Sequence, residues 1–361
     1  MRKEVLIMLG SLFSFLCFSE TLEVPVAVLY SNSSAPDYYC VIEKTLERVS
    51  DPTIKFKTQL FDYENDLFKS IGLATKIGQL GYKVAIGPRT SQEAIATAGP
   101  FFQKKVVQIL PGATDRGAKK KNPLTVYMSQ DHVYLTKQTA KLFSKYFRPS
   151  KVLVLKNESL PYSINLAEEY LKFSRNEKNI EKRTFSYFKG GLDKVRFVSV
   201  VNEFRPDVIY APIYGADIAL IYNAIGRTTH KLKLFSHAGI FESKKILKKG
   251  IFENIELYFN GIWNGMAQGP HKKLYKEITS KGCPQFKNSI RSALAFDSAM
   301  LLNLSVRKSG KWPVEKLHDV IDKLDYHGVI GKRAVDGGGA LISMPVLKMV
   351  QSKFENYVVI K

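Results

Sequence analysis

Short apolar runs alternate with stretches of helical periodicity from Val24 to about Ser236. That alternation predicts parallel strands wound on both faces by helices. Strands are expected at 24–30, 54–60, 83–87 and 105–110, and again at 151–155, 180–186, 207–211 and 232–235. The segments between them carry a helical stripe, as Leu67, Ile71, Ala74 and Ile77 illustrate. Lys121-Asn122-Pro123 marks the end of the first set, and His132 to Phe147 reads as a helix leading into the second.

The two sets are copies of one unit. Val84-Ala85-Ile86-Gly87-Pro88 is matched by Val208-Ile209-Tyr210-Ala211-Pro212, and the two prolines stand 124 residues apart. Val106 to Leu110, running into Pro111-Gly112-Ala113-Thr114, is matched by Leu232 to Phe235, running into Ser236-His237-Ala238-Gly239. Val26 to Asn32 is echoed by Val152 to Glu158. A period this far above the roughly 20–50 residues of a solenoid indicates duplicated domains.

Beyond residue 256 the repeat is expected to end. Ser289 to Val306 predicts a long amphipathic helix whose Ala293, Phe296, Met300 and Leu304 need a sheet to cover them. Val329-Ile330-Gly331 and the stretch from Ala334 to Ile342 predict a terminal hairpin around Asp336-Gly337-Gly338-Gly339. The chain therefore crosses between lobes more than once, and three crossings make a hinge.

Length supports two domains, because 361 residues exceed what one core usually organises. Residues 1–19 read as a secretory signal: Met1-Arg2-Lys3, an apolar run from Val5 to Phe18, and small residues at Cys17 and Ser19. The run is shorter than the roughly 18–20 residues of a membrane anchor, and Leu16 argues against Cys17 as a lipidation site. Removing the signal leaves Cys40 and Cys283, which permits one disulfide at most and leaves open whether they pair. The net charge of +21 is spread over lysine clusters such as Lys119-Lys120-Lys121 and Lys248-Lys249 in or beside turns. Without zinc-finger spacing or a ribonucleoprotein motif it describes a solvated surface better than a nucleic-acid-binding one.

Ligands of open parallel sheets meet the loops at the carboxyl ends of the strands. Those loops offer Ser91 and Thr114 as donors to a carboxylate, and Tyr162 and Tyr214 as apolar walls with polar tips. The plainer roles are helix capping and surface aromatics. The six histidines lack metal-ligand spacing, and there is no nucleophile elbow, phosphate-binding loop or GxGxxG after the first strand.

Ile86-Gly87-Pro88-Arg89-Thr90-Ser91, followed by Ile109-Leu110-Pro111-Gly112-Ala113-Thr114, resembles the first lobe of type I periplasmic binding proteins, in particular the leucine/isoleucine/valine-binding group that serves ABC transporters. Ala293 to Ala299 is similar to that group's late helix, and Gly328 to Gly331 through Asp336-Gly337-Gly338 to its closing strand pair. The resemblance covers roughly residues 22–360. It implies an α/β fold of two doubly wound parallel-sheet lobes joined by a multi-strand hinge, lobe one being 20–136 and 265–325 and lobe two 137–264 and 326–361. It further implies an exported protein, periplasmic or secreted and at most peripheral to the membrane, that closes on a small molecule and presents it to an ABC permease. No enzymatic activity, cofactor, metal or nucleic acid is implied. The same clamshell also serves sensory modules that report to a receptor or kinase, and an exported accessory protein that has lost solute binding is a third possibility.

Carried over by position, Ser91, Ala113 and Thr114 match residues that hold a carboxylate, and Tyr162 and Tyr214 match aromatics that close over it. Ser31, in the loop after the first strand, joins the candidate set. The pattern departs where amino-acid binders place an acidic residue, for this chain has Ala238 with His237 beside it. Arg291 falls near a position that is aromatic in the group. A buried ammonium without a counter-charge costs about 3 kcal/mol or more. The expected ligand is therefore not a standard amino acid but a carboxylate, amide or other anionic or neutral solute, with Arg89 or Arg291 as its charge partner.

Overall fold

The computed structural model describes residues 21–33, 36–188, 190–213, 215–226, 228–237, 252–260, 267–286, 289–313, 316–333, 344–350 and 353–360. In the first lobe β1 (Leu22–Tyr30), β2 (Ile54–Asp62), β3 (Val84–Ile86), β4 (Val107–Leu110) and β5 (Thr125–Tyr127) form a parallel sheet of order β2-β1-β3-β4-β5. In the second, β6 (Lys151–Asn157), β7 (Glu181–Tyr187), β8 (Val208–Ala211), β9 (Leu232–Ser236) and β10 (Ile255–Asn260) repeat the same order as β7-β6-β8-β9-β10, again parallel. A hairpin of β11 (Met344–Val350) and β12 (Lys353–Ile360) continues this sheet antiparallel to β10.

One expectation about the sheets needs correction. Each lobe has a fifth parallel strand, so the repeat runs on to Asn260 instead of ending at 256. β5 escapes notice because it is three residues long and follows Pro123, a turn signal. A hairpin lies at 344–360; the hairpin region expected around Asp336 to Gly339 falls in residues 334–343, which are outside the described residues, as are 1–19. Within the expected region, the described part shows an antiparallel bridge between His327 and Lys332.

The helices are α1 (Pro36–Val49), α2 (Leu67–Gln79), α3 (Ser91–Gln103), α4 (Gly117–Lys121) and α5 (His132–Leu142) in and after the first sheet. They continue with α6 (Pro161–Phe173), α7 (Lys194–Phe204), α8 (Gly215–Ile225), α9 (Lys272–Glu277), α10 (Ile290–Ser309) and α11 (Leu317–Asp322). Several begin on side-chain caps that satisfy orphan N–H groups: Asp66, Thr90 with Glu93 in a reciprocal capping box, Asp131 and Asp193. The expected 132–147 helix is α5 widened over its last turn, 143–147, into π geometry, and Arg148 closes it with φ 47°.

Strand alternation builds a core on each face of both sheets. Val24, Val26, Val28 and Tyr30 of β1 point toward α1 and α10; Ala27 and Leu29 point toward the layer of α2 and α3. In the second lobe Leu153 and Leu155 face α7 and α8, while Val152 and Val154 face α5 and α6. The expected amphipathic helix, α10, is enclosed on all sides: residues 292–303 are buried without a break. It fills space between α1, the sheet and α11 and has no solvent face over that length. Cys40 and Cys283 are joined, tying α1 to the turn that follows α9 across 243 residues of sequence.

Where the chain passes between lobes, Asp297 of α10 organises the crossing. Its carboxylate accepts from Tyr326 Oη at 2.7 Å and from the backbone N–H groups of Val329 at 2.9 Å and Ile330 at 3.1 Å. Gly328 must be glycine, because a Cβ there would overlap the Asp297 carboxylate. Gln268 N donates to Val329 O at 2.9 Å, so two crossing segments are bonded to each other. Burial raises the Asp297 pKa to about 6.

Candidate ligand-binding site

In the first lobe three neighbouring strands, β1, β3 and β4, deliver Ser31, the Gly87-Pro88-Arg89 turn and the Gly112-Ala113-Thr114 turn to one edge. Gly87 has φ 111°, and a Cβ there would strike the Leu29 carbonyl oxygen and the Tyr30 ring, so only glycine lets the β3 turn lie against β1. Ser91, the first residue of α3, accepts through Oγ from the N–H groups of Thr114 and Asp115, both at 3.3 Å. That leaves the hydroxyl proton of Ser91 as a donor. Ala113 is buried in a small apolar cluster, and Ser31 Oγ lies 3.2 Å from Ser33 Oγ.

The structure adds residues to this edge that sequence reasoning missed. Tyr30 and Tyr38 stack with ring centroids 4.4 Å apart. The half-buried Arg89 sits close enough to influence the titration of both Tyr30 and Asp37. Asp37, buried at the start of α1, is paired to Arg291 Nε at 3.0 Å and accepts from Ser289 Oγ at 3.3 Å. Arg291 therefore clamps the first turn of α10 to that of α1. Burial nonetheless holds the Asp37 carboxyl above its ordinary range, against the pull of Arg291.

In the second lobe His237 directly follows β9 and Asn260 ends β10; Ser236 pairs with Phe259, so the two residues are neighbours at the strand ends. His237 Nε2 lies 2.8 Å from Tyr210 Oη, and Tyr162 of α6 meets the imidazole edge-to-face at 6.5 Å. Burial lowers the His237 pKa to about 4, so the ring is neutral at ordinary pH. Tyr214 lies outside the described residues. Asn260 went unnoticed because β10 was not expected; once a fifth strand is allowed, its last residue is an obvious candidate.

The carboxyl edges of the two sheets face each other. Asp115, next to Thr114, accepts a hydrogen bond from Asn165, one turn along α6 from Tyr162. Beside that contact a gap of about 450 Å³ opens between the lobes, lined from both sides by Ile95, Asp115, His132, Pro161 and Asn165 among others. His132 ties this rim to the site, its backbone N–H donating to Thr114 O at 3.0 Å.

Buried polar atoms in folded proteins are nearly always paired. Among the described residues, Tyr30 Oη, Asp37 Oδ1, Thr114 Oγ1, His237 Nδ1 and both polar atoms of the Asn260 amide have no hydrogen-bond partner, and all stand at or beside the facing edges. Others, such as Tyr170 Oη and the His230 nitrogens, lie elsewhere. No group of residues suited to hold a metal ion occurs among the described residues.

The fold recurs in solved structures. A leucine-binding protein, LivK, from Thermotoga maritima superposes with a TM-score of 0.83 over 93% of this chain and 98% of its own, at 19% identity. The chain has the type I periplasmic binding protein fold. The branched-chain amino acid transporter substrate-binding protein LivJ from Streptococcus pneumoniae, in complex with isoleucine, gives 0.78 at 16% identity over 94% of this chain and 99% of its own. A solute-binding protein of an ABC transporter from Rhodopseudomonas palustris, in complex with p-hydroxybenzoic acid, gives 0.75 at 16% identity over 92% and 95%. No protein-family model matches the sequence, and no curated protein is significantly similar to it. No helix among the described residues is long and apolar enough to cross a membrane.

Proposed function

We propose that this is an exported solute-binding protein, periplasmic or secreted, which closes its two lobes on a small carboxylate that lacks an ammonium group and delivers it to an ABC permease. Lobe one (20–136 and 265–325) and lobe two (137–264 and 326–361) are the two jaws. The observation that carries the reading is the gathering of unpaired buried polar atoms at the facing edges, two hydroxyls and a carboxylate oxygen on one side, with Arg89 nearby, and an imidazole nitrogen and an amide on the other. The hydroxyls of Ser91 and Thr114 and the backbone N–H of Ala113 receive the carboxylate, with Arg89 as the nearby charge. Ser31 borders this pocket, and Arg291 acts at one remove, through Asp37. His237 and Asn260 offer the far wall a neutral acceptor and donor, suited to a hydroxyl or carbonyl. Tyr162 and Tyr214 cover the solute.

Structural neighbours support a binding role over an enzymatic one, being substrate-binding proteins of transport systems; one holds p-hydroxybenzoic acid, a carboxylate with a distant hydroxyl and no amine. Isothermal calorimetry with 4-hydroxybenzoate, benzoate and leucine tests the proposal. It expects heat from at least one aromatic carboxylate and none from leucine; tight leucine binding would overturn it.

A further inference from the structure

At the amino ends of β3, β4 and β5, away from the ligand edge, positive charge collects without acid to balance it. From residue 67 to residue 114 the chain has a single acidic residue, Glu93, which stands in the first turn of α3 at the opposite end of the sheet. The lysines lie where α2, α3 and α4 finish: Lys76 in the last turn of α2, Lys83 before β3, Lys104 and Lys105 before β4, Lys120 and Lys121 before β5. All six are exposed. Lys119 is paired with Asp322 at 3.7 Å, but none of the six has an ionic partner among the described residues. The acids that border this end are engaged elsewhere. Glu23 meets Lys57 at 2.6 Å and Asp51 meets Arg307 at 2.8 Å on the β1 and β2 side; beyond β5, Asp322 meets Arg333 at 3.1 Å and Asp325 meets Lys332 at 3.0 Å.

The helix ends are knitted into one face. Asn122 Nδ2 donates to Val106 O at 3.3 Å, tying the end of α4 to the start of β4. A Cβ on Gly78 would come within 2.5 Å of Lys104 Cγ, so the stem of Lys104 lies across the end of α2. On this same end two large apolar side chains stand open to solvent: Leu80, which closes α2, is 56% exposed, and Phe102, in the last turn of α3, is 49% exposed. Cations at helix C-termini offset the helix dipole. That accounts for Lys76 and Lys121 and gives no reason for Leu80 and Phe102.

We infer that this end of the first lobe binds the surface of an anionic phospholipid bilayer, with Leu80 and Phe102 entering the headgroup boundary and the lysines lying over lipid phosphates. Its binding does not depend on the solute-binding reading. Lipid fits better than an acidic protein because the six cations are all lysine: an ammonium is a point charge without the fork that pairs bidentately with a carboxylate, and it suits a diffuse, mobile negative surface. A soluble polyanion would use the lysines but leave the two apolar side chains idle. β1 starts at this end too, so the expected signal at residues 1–19 joins the chain here.

Sedimentation of the exported protein with vesicles tests the surface. Wild type is expected to bind vesicles of equal phosphatidylglycerol and phosphatidylcholine, to ignore phosphatidylcholine alone, and to be released as salt rises. K104E/K120E should lower the partition coefficient at least about tenfold and L80S/F102S about fivefold, with unfolding midpoints unchanged. K178E/K194E, which reverses the same charge on exposed lysines of the second lobe, should leave it within about twofold. No binding to the anionic vesicles overturns the inference, and so does an equal loss in K178E/K194E, which would assign binding to net charge. The emission of F102W should move to the blue, relative to wild type, when anionic vesicles are added. Unshifted emission together with an L80S/F102S that binds as wild type does would assign the face to a soluble polyanion and overturn it. A photoreactive residue at 102, in the cells that make the protein, should label lipid; labelling of a protein instead also overturns it.

Discussion

The two lobes share a strand order but are held together by different chemistry. Around α1 and α10 the first uses a disulfide, Cys40–Cys283, an ion pair on a buried carboxylate, Asp37–Arg291, and a second buried carboxylate, Asp297, that gathers three donors. The second has none of these among its described residues and relies on aromatic packing: Phe143 meets Phe147, Tyr170, Tyr210 and Phe235 within 6.0 Å, and His237 stands against Tyr210 and Phe235. The first lobe must hold late segments of the chain against early ones, which favours specific links. The second is nearly contiguous up to β10, so a continuous apolar core suffices. Duplication preserved the backbone arrangement and left the means of holding it free to diverge.

The largest effect that would sharpen this contrast is loss of the disulfide. A link spanning 243 residues restricts the unfolded chain strongly, and C40S/C283S is expected to lose about 4–5 kcal/mol. Urea unfolding should show that loss in the first lobe; an unchanged midpoint would mean α1 and α10 need no link.

Next comes a pH comparison in which the lobes have opposite signs. His237 has a folded pKa of about 4, below its unfolded value, so its contribution is present above about pH 6.5 and disappears as pH falls toward 4. The contribution is about 3 kcal/mol. Asp297, with a folded pKa of about 6, behaves oppositely: its ionised form is penalised above that pH, and the penalty, also about 3 kcal/mol, is relieved as pH falls through 6 toward the unfolded value. The two nearly cancel in the wild type between pH 6 and 4. Relative to wild type, H237N should gain stability over that interval and D297N should lose it, as read from urea midpoints at pH 7 and 4.5. Parallel shifts in the two variants would break the contrast.

The smallest effects on stability should fall on the ligand edges. Thr114 Oγ1 has no partner among the described residues, so T114V should cost less than about 0.5 kcal/mol of stability while lowering carboxylate affinity about tenfold. Tyr162→Ala should instead weaken closure, seen as lost compaction in small-angle scattering with 4-hydroxybenzoate. If T114V unfolds the protein, that hydroxyl supports structure and not ligand.

Much of the fold was legible because strand hydrophobicity has a short period and a duplicated unit announces itself through spacing. β1 to β4 and β6 to β9 lie where apolar runs predict them. β5 was hidden by its brevity, and β10 by the expectation that the repeat had ended. α10 was misread as one-sided because its serines and asparagine look solvent-facing, yet they are buried with hydroxyls bonded back to the helix, as Ser298 Oγ is to Leu294 O at 2.7 Å. At the site, Ser91, Thr114 and His237 stood out because loops at strand ends are predictable positions. Asp37, Tyr38, Asn165 and Asn260 did not, because nothing local marks a residue whose partner lies far away in sequence.

What the sequence determined by itself was therefore the local and periodic part: strands, the helices between them, the repeated unit and the loops at the strand ends. Only the tertiary structure decided that Cys40 meets Cys283, that Arg291 is spoken for by Asp37, and that His237 is sealed into neutrality beside Asn260. The reason is physical: ion pairing and desolvation depend on which distant segments exclude water together, and that is set when the lobes close their cores, not by any residue's neighbours along the chain.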